Sequence, residues 1–292
     1  MMTSGRRVYE VTSIGRPLDP GYPTNRAVLL LLPLAAVVAG GLAAAAGEGL
    51  GAVVVRASGG ALAAFGSWAL AREIAPDDEI VAAFGAMTLG FAAFLVLAVA
   101  LLPVFAALFY ARVVNRSTGL PATGLDSLLV TALALFAAWH AGSPWPAAAG
   151  AVAFVLDAVL RPGHARQWMF AGLCAGGAVA LTTAGFAPRV VPVQPDLLPR
   201  TAGTVIMVGA LALIAATNAC DFRCDATGER ISVARVRGAQ AVSLLTALAW
   251  AAAGTDGVTA GSLVWAALAA AAVGAAWRST ASGRRIPRGA SG

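Results

Sequence analysis

The sequence predicts an all-helical, polytopic transmembrane bundle, and three observations support that prediction. Hydrophobic residues make up 59% of the 292 residues and charged residues only 12%, whereas soluble globular proteins carry roughly 25% charged residues. The mean hydropathy is +0.79. Apolar runs long enough to cross a bilayer recur along the chain, and helices can satisfy every backbone polar group within lipid.

The basic charge of the chain also fits a membrane protein. The net charge is +6 and the isoelectric point is about 10.2, which in a soluble chain would suggest nucleic-acid binding. Here the basic residues, all arginine, fall mainly in short loops and at the termini, as the positive-inside rule requires. We therefore expect the lipid bilayer as the partner, and no nucleic acid. Cys174, Cys220 and Cys224 form no disulfide framework and are interpreted as structural thiols.

Nine apolar segments are candidate spans. The polar stretch before the first segment is too long for a signal-peptide n-region, so that segment is expected to be retained. The segment 80–111 is longer than one span and contains Pro103, which predicts a kink. The motif GLCAG at 172–176 favours close helix packing. The segments lie at about 27–47, 50–71, 80–111, 126–142, 146–160, 167–187, 201–219, 239–253 and 259–277.

The placement of arginines predicts which segments cross. If eight segments cross, the arginine clusters in both termini and after 80–111, 146–160 and 201–219 all face the cytoplasm. The weakest candidate is 50–71, because it carries Arg56, and an arginine at the centre of a span costs about 2.5–3.5 kcal/mol. We therefore predict eight spans, with 50–71 lying in the interface or re-entering.

This organisation predicts three parts of the chain. They are a polar cytoplasmic N-terminal tail at 1–26, a transmembrane helical domain at 27–277 and a basic cytoplasmic C-terminal tail at 278–292. The expected location is the cell (inner) membrane, as a multi-pass protein with both termini in the cytoplasm. Tryptophans mark the segment edges, as an interfacial belt requires: Trp68, Trp139, Trp145, Trp168 and Trp277.

One stretch, TNACDFRCDATGERISVARVRG at 217–238, has the composition of a site. Asp221 and Asp225 would share one face if this stretch were helical. Carboxylates at that spacing can hold Mg²⁺, and Arg223 and Arg230 could then bind the phosphates of a diphosphate substrate. The alternative is a solvated loop in which acids and arginines pair with each other.

Part of this stretch, DFRCDATGERISVARVRG, resembles the second aspartate motif of the UbiA-type intramembrane prenyltransferases. Asp221, Asp225 and Gly238 stand at the matching positions. NRSTGLPATG at 115–124 is similar to the segment that follows that family's first motif, and four apolar segments separate the two stretches, as in the family. The resemblance implies Mg²⁺-dependent prenyl transfer with the two aspartates as metal ligands. Upstream of Asn115 the chain reads FAALFYARVV, without the family's first aspartates.

Asp157 is the most prominent ionisable residue within an apolar segment. A carboxylate there is costly and is often functional, as a proton relay or a cation site. Its spacing from Arg161 and His164 allows the alternative of a local ion pair on one helix face.

The charged cluster AREIAPDDEI at 71–80 predicts a helix cap. Asp77 and Asp78 precede a helix that begins near Glu79, where the helix dipole favours negative charge. Arg72 is expected to pair with one of the neighbouring acids.

Three functions remain open on the sequence. A non-catalytic membrane component is predicted first, because no phosphate loop, nucleophile elbow or zinc-protease motif is present. The first alternative is a UbiA-like enzyme that uses Asp221 and Asp225 for Mg²⁺, with Arg223 and Arg230 on the diphosphate. The second is a small-molecule or ion transporter with Asp157 near its pathway.

Overall fold

The structure is a computed structural model that describes residues 8–9, 11–97, 99–185, 197–254 and 257–283. Within these ranges the regular structure is helical, and the described residues form no strand beyond one isolated bridge. The helices, α1 to α11 in order, are Pro23–Ala45, Leu50–Ile74, Val81–Val96, Leu101–Asn115, Gly124–His140, Trp145–Val159, Gln167–Thr183, Leu197–Ala216, Val233–Ala251, Gly257–Ala260 and Ser262–Gly283.

The segment 80–111 forms two helices, so the prediction of one kinked span is wrong. α3 ends at Val96, where Leu97 takes an extended backbone, and α4 begins at Leu101. Pro103 is the third residue of α4. The first N–H groups of a helix have no intrahelical acceptor, so a proline there removes no hydrogen bond and causes no kink.

The segment 50–71 lies within α2, a continuous helix of 25 residues. A re-entrant segment needs a turn, and α2 has none, so re-entry is wrong. Arg56 lies in the second turn of α2 and is exposed. From such a position near a helix end a long side chain can reach the membrane interface, which removes most of the cost that made crossing look unfavourable.

Local sequence signals account for two of the helix starts. The predicted cap at 71–80 is confirmed for Asp78, which accepts hydrogen bonds from the N–H groups of Val81 and Ala82 at 2.9 and 3.1 Å. At the start of α5, Thr123 and Asp126 form a capping box, in which each side chain accepts from the other's backbone N–H.

Successive helices run in opposite directions, as the contacts between their ends show. Setting aside the four-residue α10, the other ten of the eleven described helices start and finish alternately at two ends of the bundle. We call one of these ends the arginine-rich end. The helices that start there are α1, α3, α5, α7 and α9, and the helices that finish there are α2, α4, α6, α8 and α11. The contacts that join these helix ends are Asn25–Arg72, Glu73–Asn115, Ser127–Gln167, Arg116–Asp157, Asp157–Arg235, Thr217–Gln240 and Asp78–Arg278.

The bundle contains two main cores. The larger core is built from α1, α2, α3, α8 and α11, and the smaller one from α5, α6 and α7. α4 and α9 lie between them and contribute side chains to both, for example Leu108 to the larger core and Tyr110 to the smaller. These two helices therefore connect the halves of the molecule.

The outer surface of the helices is apolar. α1, α2 and the part of α11 that ends at Thr280 are long and apolar enough to cross a membrane, judged by length and composition. Several shorter apolar helices accompany them, including α3 to α6. Leu30, Val55 and Val96 are more than two-thirds exposed, which in water would be unfavourable over so wide a surface. These features together indicate a membrane protein.

Candidate functional site

Glu73 is the centre of a buried polar cluster at the arginine-rich end. It lies one residue before the end of α2 and is fully buried. Its Oε1 accepts from Arg16 and Arg112, each at 3.2 Å, and from Ser117 at 3.3 Å. Its Oε2 accepts from the side-chain amide of Asn115 at 3.2 Å. Two arginines and two further donors therefore compensate the burial of this carboxylate.

The N-terminal segment, which we define as residues 12–18, is part of this cluster. Ser13 donates from its backbone N–H and its hydroxyl to Asp126, at 2.9 and 3.0 Å. Arg112 donates to the carbonyl oxygen of Ile14 at 3.0 Å. This part of the predicted polar tail is therefore fastened to the helix ends, while residues 1–7 of the tail lie outside the described residues.

Arg16 links the N-terminal segment to two separate parts of the molecule. It pairs with Glu73, and it forms a bidentate pair with Asp225 at 2.6 and 3.1 Å. Its guanidinium also lies 5.3 Å from the ring centre of Phe222. Burial alone would lower the pKa of Arg16, but the two carboxylates outweigh burial and raise that pKa above its usual value. Arg16 is therefore a permanent cation in this cluster.

Arg72 forms a second polar group beside the first. Its guanidinium lies 5.1 Å from the ring centre of Trp68 and donates to Glu79 at 3.1 Å and to Asn25 at 3.0 Å. The predicted pairing of Arg72 with a neighbouring acid is therefore confirmed, with Glu79 as the partner. The hydrogen bond to Asn25 joins the end of α2 to the start of α1, while the cation–π contact and the ion pair orient the Arg72 guanidinium.

A cleft of about 780 Å³ lies between these groups, and we call it the charged cleft. Its walls are the N-terminal segment, α2, the arginine-rich end of α4 and the loop 222–226. Phe65 and Trp68 line its inner part, and Glu79 and Asp225 are among the charged residues around it. Its volume is within the range of small-molecule sites.

The predicted metal site in the loop between α8 and α9 has a different geometry from the one expected. This stretch is not helical: Arg223 and Arg230 form an isolated antiparallel bridge, and α9 begins only at Val233. The helix that would place Asp221 and Asp225 on one face is therefore not formed. Competing local hydrogen bonds and Gly228, at a φ of 71°, favour a tight loop instead of a helix.

The two aspartates of this loop have separate partners. Asp221 is 82% exposed and pairs with Arg230 at 3.3 Å, whereas Asp225 pairs with Arg16. Arg223 donates to the carbonyl oxygen of Gly228 at 3.0 Å. Among the described residues, no group of three or more His, Cys, Asp or Glu side chains is arranged to hold a metal ion. The geometry is that of a solvated loop in which acids and arginines pair.

The structure nevertheless brings together the two stretches that carry the prenyltransferase resemblance. The N–H of Asp225 donates to the carbonyl oxygen of Ser117 at 3.1 Å, and the N–H of Ala226 donates to that of Thr118 at 3.0 Å. Sequence reasoning placed both stretches on one side of the membrane but could not predict this direct pairing.

The cysteines of this loop are buried, and burial disfavours their thiolate forms. Burial raises the pKa of the Cys220 thiol to about 11 and also raises the pKa of Cys224. Both thiols therefore stay protonated near neutral pH, and the thiolate is the form that binds metals or attacks electrophiles.

Asp157 lies in a second buried cluster, apart from the charged cleft. Its Oδ1 accepts from Arg116 at 2.7 Å and from Arg235 at 2.8 Å. Arg235 also donates to the carbonyl oxygens of Leu160 and Pro162, both at 2.7 Å. The cluster joins the ends of α4 and α6 to the start of α9 through hydrogen bonds and ion pairs. The local pair with Arg161 that the sequence suggested is therefore wrong: Asp157 pairs with two arginines that are distant in sequence.

Sequence reasoning missed three residues of these clusters: Glu73, Arg112 and Asp126. Asp126 stands in a capping-box pattern with Thr123, and Glu73 stands in the charged stretch 71–80, but these patterns indicate only helix ends and no buried polar cluster. Each lies inside or at the edge of an apolar segment, where an ionisable side chain is costly unless it is paired. Applying that rule to every such residue, and not to Asp157 alone, would have identified all three.

Comparison with known proteins gives no further assignment. No protein-family model, no curated protein and no solved structure matches this chain. The candidate site must therefore be interpreted from its own residues and geometry.

Proposed function

We propose that this protein is a non-catalytic, multi-pass component of the cell (inner) membrane. In this proposal ten helices cross the bilayer, and the arginine-rich end and both termini face the cytoplasm. The observation that carries the proposal is the position of the arginines in the helical bundle. Four helices bring an arginine to that one end, and a fifth arginine directly follows α4: Arg72, Arg112, Arg235 and Arg278 lie on the helices, and Arg116 follows α4.

The ten-helix count preserves the orientation predicted for eight spans. Relative to that prediction, 50–71 adds one crossing, and the division of 80–111 into α3 and α4 adds another. Two added crossings leave every later arginine cluster on its original side, so the positive-inside rule is still satisfied.

The charged residues support a non-catalytic role because they bind each other. Glu73, Asp157 and Asp225 are each held by arginine at 2.6–3.2 Å, and a carboxylate so engaged is poorly placed to act as a base or nucleophile. The pairs fasten helix ends and loops together, which is the role of a structural network.

Cysteine labelling of the full-length protein in spheroplasts tests this topology. We expect Ala46→Cys and Leu97→Cys to react with a membrane-impermeant maleimide from outside, and Ile80→Cys to react only after permeabilisation. All three positions are exposed, and the unmodified chain, whose cysteines are buried, is the control.

The eight-span alternative gives the opposite pattern at two of these positions. It places Ile80 outside the cell and Leu97 within the membrane. External labelling of Ile80→Cys together with no labelling of Leu97→Cys would therefore refute the ten-helix proposal.

A second candidate function is Mg²⁺-dependent prenyl transfer. The observation that favours it is the direct pairing of 115–124 with the loop that contains Asp225. In this candidate Asp221 and Asp225 hold Mg²⁺, and Arg223 and Arg230 hold the diphosphate. It predicts Mg²⁺-dependent binding of an isoprenyl diphosphate that Asp221→Asn abolishes. Absence of such binding by the unmodified protein eliminates the candidate. The transporter alternative gains no similar support, because Arg116 and Arg235 already engage Asp157.

A further inference from the structure

The charged cleft extends from the helix ends to the level of the apolar core. The depth of the cleft can be measured along α2. Glu79 lies at its charged part, just after α2 ends at Ile74, and Phe65 lies at its apolar part, nine residues before Ile74. At 1.5 Å per residue, the cleft therefore covers about 13 Å of the helix axis. A ligand of this shape would place a polar part among the charges and an apolar part along Phe65, which describes a membrane amphiphile.

The charges that line the cleft balance each other. Equal numbers of basic and acidic residues therefore favour neither a simple anion nor a simple cation. Arg16, Arg112, Glu73 and Asp225 pair with each other, so a ligand that carries both charges would find its partners at Arg72 and Glu79. The lining residues are the four arginines 16, 72, 112 and 223 and the four acids 19, 73, 79 and 225.

Two neighbouring groups can donate hydrogen bonds to the anionic part of such a ligand. Trp68 is only 4% exposed, and its indole N–H has no acceptor, although this group is a donor that normally finds a partner when buried. Arg72 lies over the same indole and uses two of its N–H groups for Asn25 and Glu79. A guanidinium has five N–H donors, so three are left for a ligand.

Glu79 can accept from the cationic part. Its side chain is 41% exposed, and its interactions are an ion pair with Arg72 at 3.1 Å and a long hydrogen bond from Thr24 at 3.4 Å. Its carboxylate has further lone pairs that an ammonium group can use. The acceptor therefore lies next to the two donors.

We propose that the charged cleft binds the head group of a zwitterionic phospholipid of the phosphoethanolamine type. The phosphate accepts from Trp68 and Arg72, the ammonium group donates to Glu79, and the acyl chains extend along Phe65. This inference goes beyond the proposed function and does not depend on the number of spans.

Binding of defined ligands to the purified, delipidated full-length protein tests the proposal. The probes are dioctanoyl phosphatidylethanolamine, dioctanoyl phosphatidylglycerol and free phosphoethanolamine, measured by calorimetry in detergent. We expect the phosphatidylethanolamine to bind about tenfold more tightly than the phosphatidylglycerol, because only the former has a charged partner for Glu79. Equal binding of the two lipids would overturn the proposal. Equal binding of phosphoethanolamine and the lipid would show that the ligand is soluble, and would overturn the lipid assignment.

Two variants with matched controls test separately the residue proposed to bind the ammonium group and the residue proposed to bind the phosphate. Glu79→Gln should abolish the roughly tenfold preference for phosphatidylethanolamine over phosphatidylglycerol. Trp68→Phe keeps an aromatic side chain, although a smaller one, but removes the N–H, and it should weaken the binding of both lipids. The controls Glu48→Gln and Trp139→Phe, whose side chains are exposed at the opposite end of the bundle, should change neither affinity. Unchanged lipid preference in Glu79→Gln would refute the proposal even if Trp68→Phe fails to fold.

Discussion

Asp157 shows at the scale of one residue what a buried carboxylate requires. It is fully buried and accepts from Arg116 and Arg235 through the same oxygen, Oδ1. The two arginines are buried as well, so each depends on the single negative charge between them. Removing that charge would leave two buried cations next to each other.

We therefore expect Asp157→Asn to destabilise the protein strongly. The loss of one partner from a buried ion pair costs about 3–5 kcal/mol, which should appear as a large fall in the thermal unfolding midpoint in detergent. Arg161→Ala is the matched control, because Arg161 is exposed and is the partner that the sequence suggested; surface changes of this kind stay within about 0.5 kcal/mol. A larger effect of Arg161→Ala than of Asp157→Asn would contradict the observed pairing.

The positions of single charged residues also explain why the sequence predicted the site only in part. Asp221, Asp225, Arg223 and Arg230 attracted attention because they stand close together in a short stretch, yet they form exposed or separate pairs. Glu73 also stands in a charged stretch, 71–80, but its partners lie outside that stretch: they are Arg16, Arg112 and the loop after α4. Local spacing therefore identified the loop but not the centre of the cluster.

At the scale of helices, glycine decides where two backbones approach closely. A Cβ added to Gly60 of α2 would lie 2.7 Å from Cβ of Ala39 in α1 and 3.2 Å from the ring of Phe91 in α3. In contrast, a Cβ on Gly172 or Gly176 would meet nothing within 4 Å. The two glycines of the GLCAG motif, which the sequence suggested as a packing site, therefore mediate no close approach of helix backbones; Cys174 between them is the buried residue of the motif.

This difference predicts opposite effects for the same substitution in two helices. Gly60→Ala should destabilise the protein by about 1–3 kcal/mol, because the added methyl overpacks the junction of three helices. Gly172→Ala should be neutral or stabilising by up to about 1 kcal/mol, because alanine favours the helix and the space is open. Thermal unfolding of the two variants checks the prediction, and a loss of stability in Gly172→Ala alone would contradict it.

Helix boundaries were predictable to the extent that they depend on composition. Every apolar segment found in the sequence contains a helix, because burial of the apolar surface and internal hydrogen bonding act along the chain. The end of α3 at Val96 and the start of α4 at Leu101 were not predictable, since Leu97, Val99 and Ala100 are as apolar as the residues of the helices on either side. Only the packing of α3 and α4 against other helices shows that two antiparallel helices are present.

At the scale of the whole molecule, the N-terminal segment joins the two halves of the bundle. Ile14 is buried in the smaller core, whereas Leu18 packs against the larger one. Ser13 is bound to Asp126 of α5, and Arg16 to Glu73 of α2. The segment thus ties together halves that otherwise share α4 and α9.

We expect Arg16→Ala to release this segment without unfolding the bundle. Loss of both ion pairs of Arg16 should speed amide hydrogen exchange in residues 12–18 by about tenfold, which corresponds to about 1.4 kcal/mol. Exchange measured by mass spectrometry on the full-length protein checks this, with Arg26→Ala as the control because Arg26 is exposed. Equal protection of the segment in Arg16→Ala and the unmodified protein would show that Arg16 does not hold it.

The sequence alone determined the class of this protein, the approximate position of each helix and the grouping of the arginine-rich loops. These properties follow from hydrophobicity and charge, whose energies are nearly additive along the chain and can be read locally. The tertiary structure decided which charges meet. Ser13 reaches Asp126 across 113 residues and Arg16 reaches Asp225 across 209. Contacts over such separations depend on how ten helices pack, and no local pattern in the sequence encodes that arrangement.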